Sequence, residues 1–163
     1  MTLTPDQVKW LEAMDITDYS VDDEGFVNVY GNVDISDKDL ISIPVKFGYV
    51  SGDFYCHFNK LTSLQGSPRE VGGRFSCGFT AIKTLQGAPT EIGGGFFCSS
   101  NKLTSLQGGP KEVGGRFDCN NNTLTSLQGA PREVGGDFNC NNNNFKSEPD
   151  HSFIKIGGRF VWE

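Results

Sequence analysis

The 163-residue chain is poor in several things that usually announce a function. It has two histidines, two methionines and two tryptophans, and its charged residues amount to only 21%. No run approaches the roughly 18 apolar residues of a membrane-spanning helix. The opening MTLTPDQVKW lacks the charged-then-apolar order of a signal peptide, which argues against secretion. A net charge of −6 and a pI near 4.9 disfavour a nucleic-acid partner. No phosphate-cradling loop, nucleophile motif or paired acid–base spacing is present, so an enzyme is not expected. Five cysteines is an odd number, which speaks against a closed disulfide framework.

What is abundant is periodic. The 21 glycines and 13 phenylalanines are not scattered. Cys56, Cys77, Cys98, Cys119 and Cys140 recur every 21 residues, and Phe54, Phe75, Phe96, Phe117 and Phe138 precede them by two. Further columns keep the step: Leu61, Ile82, Leu103, Leu124 and Phe145; Leu64, Leu85, Leu106 and Leu127; Val71, Ile92, Val113 and Val134, each followed by Gly-Gly. Stepping back from the first copy lands on Val33, Ile35, Leu40, Ile43 and Val50, a diverged first unit. Stepping forward requires one inserted residue within Phe145–Ile156, after which Phe160 and Trp162 fall in the Phe and Cys columns. Seven strand-bearing units result.

Phe and Cys at i and i+2 share one side of an extended segment and face a core. One unit buries about five apolar side chains, each worth roughly 1.5–3 kcal/mol. Ordering its residues costs about 1–2 kcal/mol apiece in backbone entropy, so a lone unit cannot fold and stacked units can. The expected fold is mainly β: a right-handed parallel β-solenoid of about seven units over residues 33–163, ending in a capping strand. Residues 1–32 are expected to form a cap. Thr4-Pro5-Asp6-Gln7 reads as a capping box opening a helix, and Tyr19–Val21 with Phe26–Tyr30 as a hairpin.

The unit pattern x-F-x-C-x-x-N-x-L-T-S-L-Q-G-x-P-x-E-V-G-G resembles the leucine-rich-repeat family, in its short bacterial and bacteriophage-encoded form. Asn59, Asn101, Asn122 and Asn143 match the family's Asn column, and Thr80 departs from it. The resemblance implies parallel strands lining one face of a curved solenoid, asparagines bonding backbone groups, and no cofactor. It also implies a protein-interaction role in the host cytoplasm, on a host defence or regulatory protein. The Gly-Gly pair departs from the family, and a parallel β-helix is the alternative architecture.

Several columns invite a chemical reading. Five thiols in a straight row cannot converge tetrahedrally on one ion, so the cysteines read as small buried core residues and no metal is expected. Glu70, Glu91, Glu112 and Glu133 form a row that Arg69, Lys111 and Arg132 are expected to offset. The first 40 residues hold ten Asp/Glu against two Lys/Arg, an acidic end that either docks on a basic partner or keeps the rod soluble. The solvent side of the strands gathers aromatics in the second to fourth units. Tyr55, His57, Phe58, Arg74, Phe79, Phe97 and Arg116 are therefore the candidate partner-binding residues, since exposed aromatics with Arg anchor interfaces. For Phe58 and Phe79, turning inward at the strand end is the competing arrangement; Tyr55 and Phe97 are harder to bury. A small-ligand or nucleotide binder using the same aromatics, and a virion or assembly component, are the alternative functions.

Overall fold

The computed structural model describes residues 2–163. The helix α1 spans Pro5–Ala13, with Thr4 as its cap. Thr4 Oγ1 accepts the Gln7 N–H at 3.3 Å and Gln7 Oε1 accepts the Thr4 N–H at 3.0 Å, closing the capping box expected from the sequence. The strands β1 (Tyr19–Val21) and β2 (Val27–Val29) form the hairpin, antiparallel with Tyr19 opposite Val29.

From there the chain is a parallel β-solenoid. Each turn contributes two short strands, and the turns stack into two sheets. One sheet has seven strands, the Phe strands, with Val33 beside Phe54, then Phe75, Phe96, Phe117, Phe138 and Phe160 in register. The other has eight strands: β1, β2, Phe47–Val50 and the five rungs carrying Val71, Ile92, Val113, Val134 and Ile156. Val134 pairs with Ile156 and Phe138 with Phe160, a step of 22 that confirms the single insertion in the last unit. Val27 pairs with Phe47 and, after a shift in register, Val29 with Val50, so the second strand of the hairpin is also a rung of the solenoid.

The inward columns form the core. Phe54, Phe75, Phe96, Phe117 and Phe138 are fully buried, with consecutive ring centroids 4.9–5.6 Å apart and interplanar angles of 8–27°. The five cysteines lie beside them, buried and unpaired. Further rings pack on both ends of this column. Phe47 meets Phe54 edge-on at 5.3 Å, with Trp10 of α1 against Phe47 at 6.5 Å. At the far end His151, from the inserted segment, lies flat on Phe160 at 3.8 Å, and Trp162 packs against the core.

Two glycine columns have specific reasons. Gly66, Gly87, Gly108 and Gly129 all have φ between 84° and 92°, a region costly for residues with a Cβ. The first glycine of each pair lies against the previous unit: a Cβ on Gly93 or Gly114 would run into the carbonyl oxygen of Gly72 or Gly93. The glycine excess is therefore a demand of close stacking.

The asparagine column ties unit to unit. Asn122 Nδ2 donates to the carbonyls of Cys119 and, one turn earlier, Cys98, both at 3.1 Å, while its Oδ1 accepts the Leu103 N–H at 3.0 Å. Asn59 and Asn143 repeat this. At the departing position, Thr80 Oγ1 reaches only the Cys77 carbonyl (3.1 Å) and the side chain of Asn101 (2.7 Å).

Candidate functional site

Past each Cys the chain must turn a corner, and it does so on left-handed backbone. Asp37, Phe58, Phe79, Ser100, Asn121 and Asn142 occupy this corner in successive units, with φ between 51° and 55°. Asp and Asn tolerate this region because their short polar side chains bond locally; a bulky side chain there is an outlier. Phe58 and Phe79 are such outliers, and neither turns inward. Each is 52% exposed, and their rings stack at 4.5 Å with an interplanar angle of 22°.

The other candidates join this pair unevenly. His57 meets Phe58 edge-on at 5.3 Å and Tyr55 at 5.7 Å, extending the aromatic run. The His57 Nδ1 is enclosed and has no hydrogen-bond partner among the described residues. Tyr55 is held down: its hydroxyl donates to Asp53 Oδ2 at 2.5 Å. That bond pulls the Asp53 carboxyl below its usual range, aided by the Arg74 N–H donated to Asp53 Oδ1, and raises the Tyr55 phenol above its own. Arg74 is exposed beside this pair.

Phe97 and Arg116 stand apart from the run. The Phe97 ring folds over Gly95, whose absent Cβ would lie 2.7 Å from Cε2, so Phe97 is half-buried against the sheet. Arg116 is tied to Asp118 at 2.6 Å, and Asp118 also receives the Asn139 amide at 3.3 Å. Of the four aromatics expected to face solvent, Phe58 and Phe79 project, whereas Tyr55 and Phe97 are half-buried against Asp53 and Gly95, two residues earlier in the chain. The signal was in the corner column, whose Asp, Ser and Asn members mark a left-handed position where Phe cannot be reached by core packing.

The glutamate row is as regular as expected, but its neutralisation is not. Glu70, Glu91, Glu112 and Glu133 pair in register along a shallow groove of about 1030 Å³. Among the described residues, the one ion pair to this row is Lys155 to Glu133 at 2.7 Å. Arg69 instead lies over the Phe26 ring at 3.6 Å and reaches Glu24 at 3.5 Å, and neither Lys111 nor Arg132 pairs with the row.

Three features went unread in the sequence. Tyr30 is 69% exposed and meets Tyr49 at 6.5 Å on the eight-stranded sheet. Ile41 is exposed in the first unit. Phe153, also exposed, borders a cavity of about 480 Å³ with Phe145, Leu127 and Glu148, where the last unit departs from the repeat. Among the described residues no group of three or more His, Cys, Asp or Glu side chains could hold a metal ion, and no helix is long and apolar enough to cross a membrane.

Comparison with known proteins finds no matching family model, no matching curated protein and no matching solved structure.

Proposed function

We propose that the chain is a non-enzymatic protein-interaction module that binds its partner through the corner column and the aromatic run around it. The observation that carries this reading is the pair Phe58 and Phe79. Two large apolar rings stand in solvent, on backbone that disfavours them, at positions where this same chain elsewhere uses Asp, Ser and Asn. Strain of this kind persists where something other than folding retains it. Tyr55, His57 and Arg74 complete a surface of the composition that anchors protein interfaces. The leucine-rich-repeat character of the unit, a bacteriophage origin and a host protein as the target are the finer part of the proposal. They rest on the likeness of the repeat pattern alone.

The test is affinity capture from bacterial lysate with the full chain and with the Phe58→Asn, Phe79→Asn double variant. Capture of a defined protein by the parent chain, lost in a variant of undiminished melting temperature, supports the reading. Equal capture by both overturns the assignment of the surface.

A further inference from the structure

The column that carries Phe58 and Phe79 has one short member. Its rungs are tied in sequence: the Phe58 N–H donates to the Gly78 carbonyl, Phe79 to Ser99, Ser100 to Asn120 and Asn121 to Asn141, at 3.0–3.1 Å. The 4.5 Å between the Phe58 and Phe79 rings follows the rung spacing of parallel strands, about 4.8 Å, so each ring stands over its own rung. At the next rung the side chain is Ser100, and the one after carries exposed Asn121. Phe79 and Asn121 are two rungs apart, roughly 9.6 Å. Between them lies the place of a third ring, one stacking distance from the free face of Phe79, which Ser100 leaves open.

We infer that this gap at Ser100 receives an aromatic side chain of the protein partner, as the third ring of the stack begun by Phe58 and Phe79. The inference rests on the protein-interaction reading and names the chemistry of the partner. A ring at the Ser100 rung meets an aromatic face on one side and an amide on the other. Asn121 Nδ2 is engaged with Asn120 Oδ1 at 3.2 Å, which leaves the Asn121 oxygen for a peptide N–H of the incoming segment.

Charge narrows the segment further. Lys60 is paired with Asp39 at 2.8 Å, but Lys102, two residues beyond Ser100 and exposed, takes part in no ion pair among the described residues. The segment that fits therefore carries a carboxylate next to its aromatic residue.

The experiment titrates N-acetyl-tryptophan, its neutral amide and adenosine 5′-monophosphate separately into the isotope-labelled full chain, read by NMR. Saturable shifts centred on Phe79, Ser100 and Asn121 are expected with N-acetyl-tryptophan. The amide should bind about two- to fivefold more weakly, a difference that Lys102→Gln removes. Ser100→Phe, which the chain tolerates at the two preceding rungs, fills the gap with its own ring and should weaken binding about tenfold or more; Ser100→Ala should not.

No saturable shift at Ser100, or binding unchanged in Ser100→Phe, overturns the inference. Tighter binding of adenosine 5′-monophosphate than of N-acetyl-tryptophan overturns it in favour of a nucleotide. Protein capture that survives Ser100→Phe but not the double Phe→Asn variant refutes the third ring while leaving the interaction surface standing. Capture indifferent to both removes the surface itself.

Discussion

Phe58 and Phe79 lie face to face at 4.5 Å in solvent, each with a positive φ of 51–52°. Two energies oppose each other there. Left-handed backbone costs a bulky residue roughly 1–2 kcal/mol, and one aromatic stack returns about 0.5–1.5 kcal/mol. Asn relieves the backbone cost at this position, as Asn121 and Asn142 do in later units.

Single and double Asn substitutions should therefore be non-additive. The first, Phe58→Asn or Phe79→Asn, relieves one strained residue and loses the stack, leaving stability within about 1 kcal/mol of the parent. The second relieves strain with no stack left to lose, and should raise stability by about 1 kcal/mol over the single variant. Urea unfolding of the four chains measures this. A double variant well below the parent would show that the rings serve the fold.

The asparagine column predicts the effect of replacing its one member that is not Asn, Thr80, whose backbone N–H and hydroxyl also occupy the Asn101 oxygen. At Asn59, Asn122 and Asn143 the amide oxygen accepts the N–H of Leu40, Leu103 and Leu124 in the preceding unit. The corresponding group for position 80 is the N–H of buried Leu61, which Thr80 does not reach. Thr80→Asn should supply that acceptor and a donor for the Cys56 carbonyl, raising stability by about 1 kcal/mol. Asn122→Ala should do the reverse at a cost of about 1–3 kcal/mol, because it strands the buried Leu103 N–H, while the Cys98 and Cys119 carbonyls keep the amides of Asn101 and Asn143. Hydrogen exchange at the Leu61 amide provides the local readout: slower in Thr80→Asn, unchanged in Asn122→Ala.

How much of this was written in the sequence differs between scaffold and surface. The scaffold is overdetermined. Phe117, Cys119, Leu124, Leu127 and Val134 each belong to a column, and in a stack of near-identical turns a column has one environment, so inward and outward follow from the repeat alone. The shift of the last unit by one residue was equally legible. Surface columns lack that redundancy, because adjacent members differ and each finds its own neighbours. Phe97 lies down because Gly95 leaves it room, and Arg69 leaves the glutamate row because Phe26 and Glu24 offer it a better place. Neither contact has a period. The corner column was readable in part, since Asp37, Asn121 and Asn142 mark left-handed backbone, and the two phenylalanines become conspicuous once that is recognised.

Tyr55 and Asp53 make a titratable prediction. Their hydrogen bond raises the phenol and lowers the carboxyl. Among the four tyrosines, Tyr55 should ionise last in a ¹³C-NMR titration, and Asp53→Asn should return it toward its ordinary value near 10. The depressed Asp53 carboxyl contributes stability that is present above its unfolded pKa, near 3.9, and is lost as pH falls through its lower folded value. Acid unfolding of Asp53→Asn should accordingly be less steep below pH ~4. Coincident titration of Tyr55 with the other tyrosines would show that the bond does not hold in solution.

The cysteine row turns its burial into an alkaline limit on the fold. Burial drives the thiols of Cys56, Cys77, Cys98 and Cys119 well above their ordinary range, and that of Cys140 up to about 12, with neighbouring thiols and Asp118 adding to the effect. A folded pKa raised above the unfolded one means that the native chain keeps protons the unfolded chain gives up. Stability is then fully present below the unfolded thiol pKa, about 8.5, and declines as pH rises toward the folded value. Each thiol contributes a slope of up to about 1.4 kcal/mol per pH unit, so five acting together should make the melting temperature fall steeply between about pH 9 and 11. Cys98→Ala, which keeps a small apolar side chain in the column, should flatten that fall by about one fifth while lowering stability at pH 7. In native protein at pH 8 no thiol should react with a maleimide faster than the chain unfolds, and all five should react in denaturant. Prompt native labelling at Cys56, Cys77, Cys98 or Cys119 would mean that the stack opens locally, and the core column would then be a more dynamic structure than its packing implies.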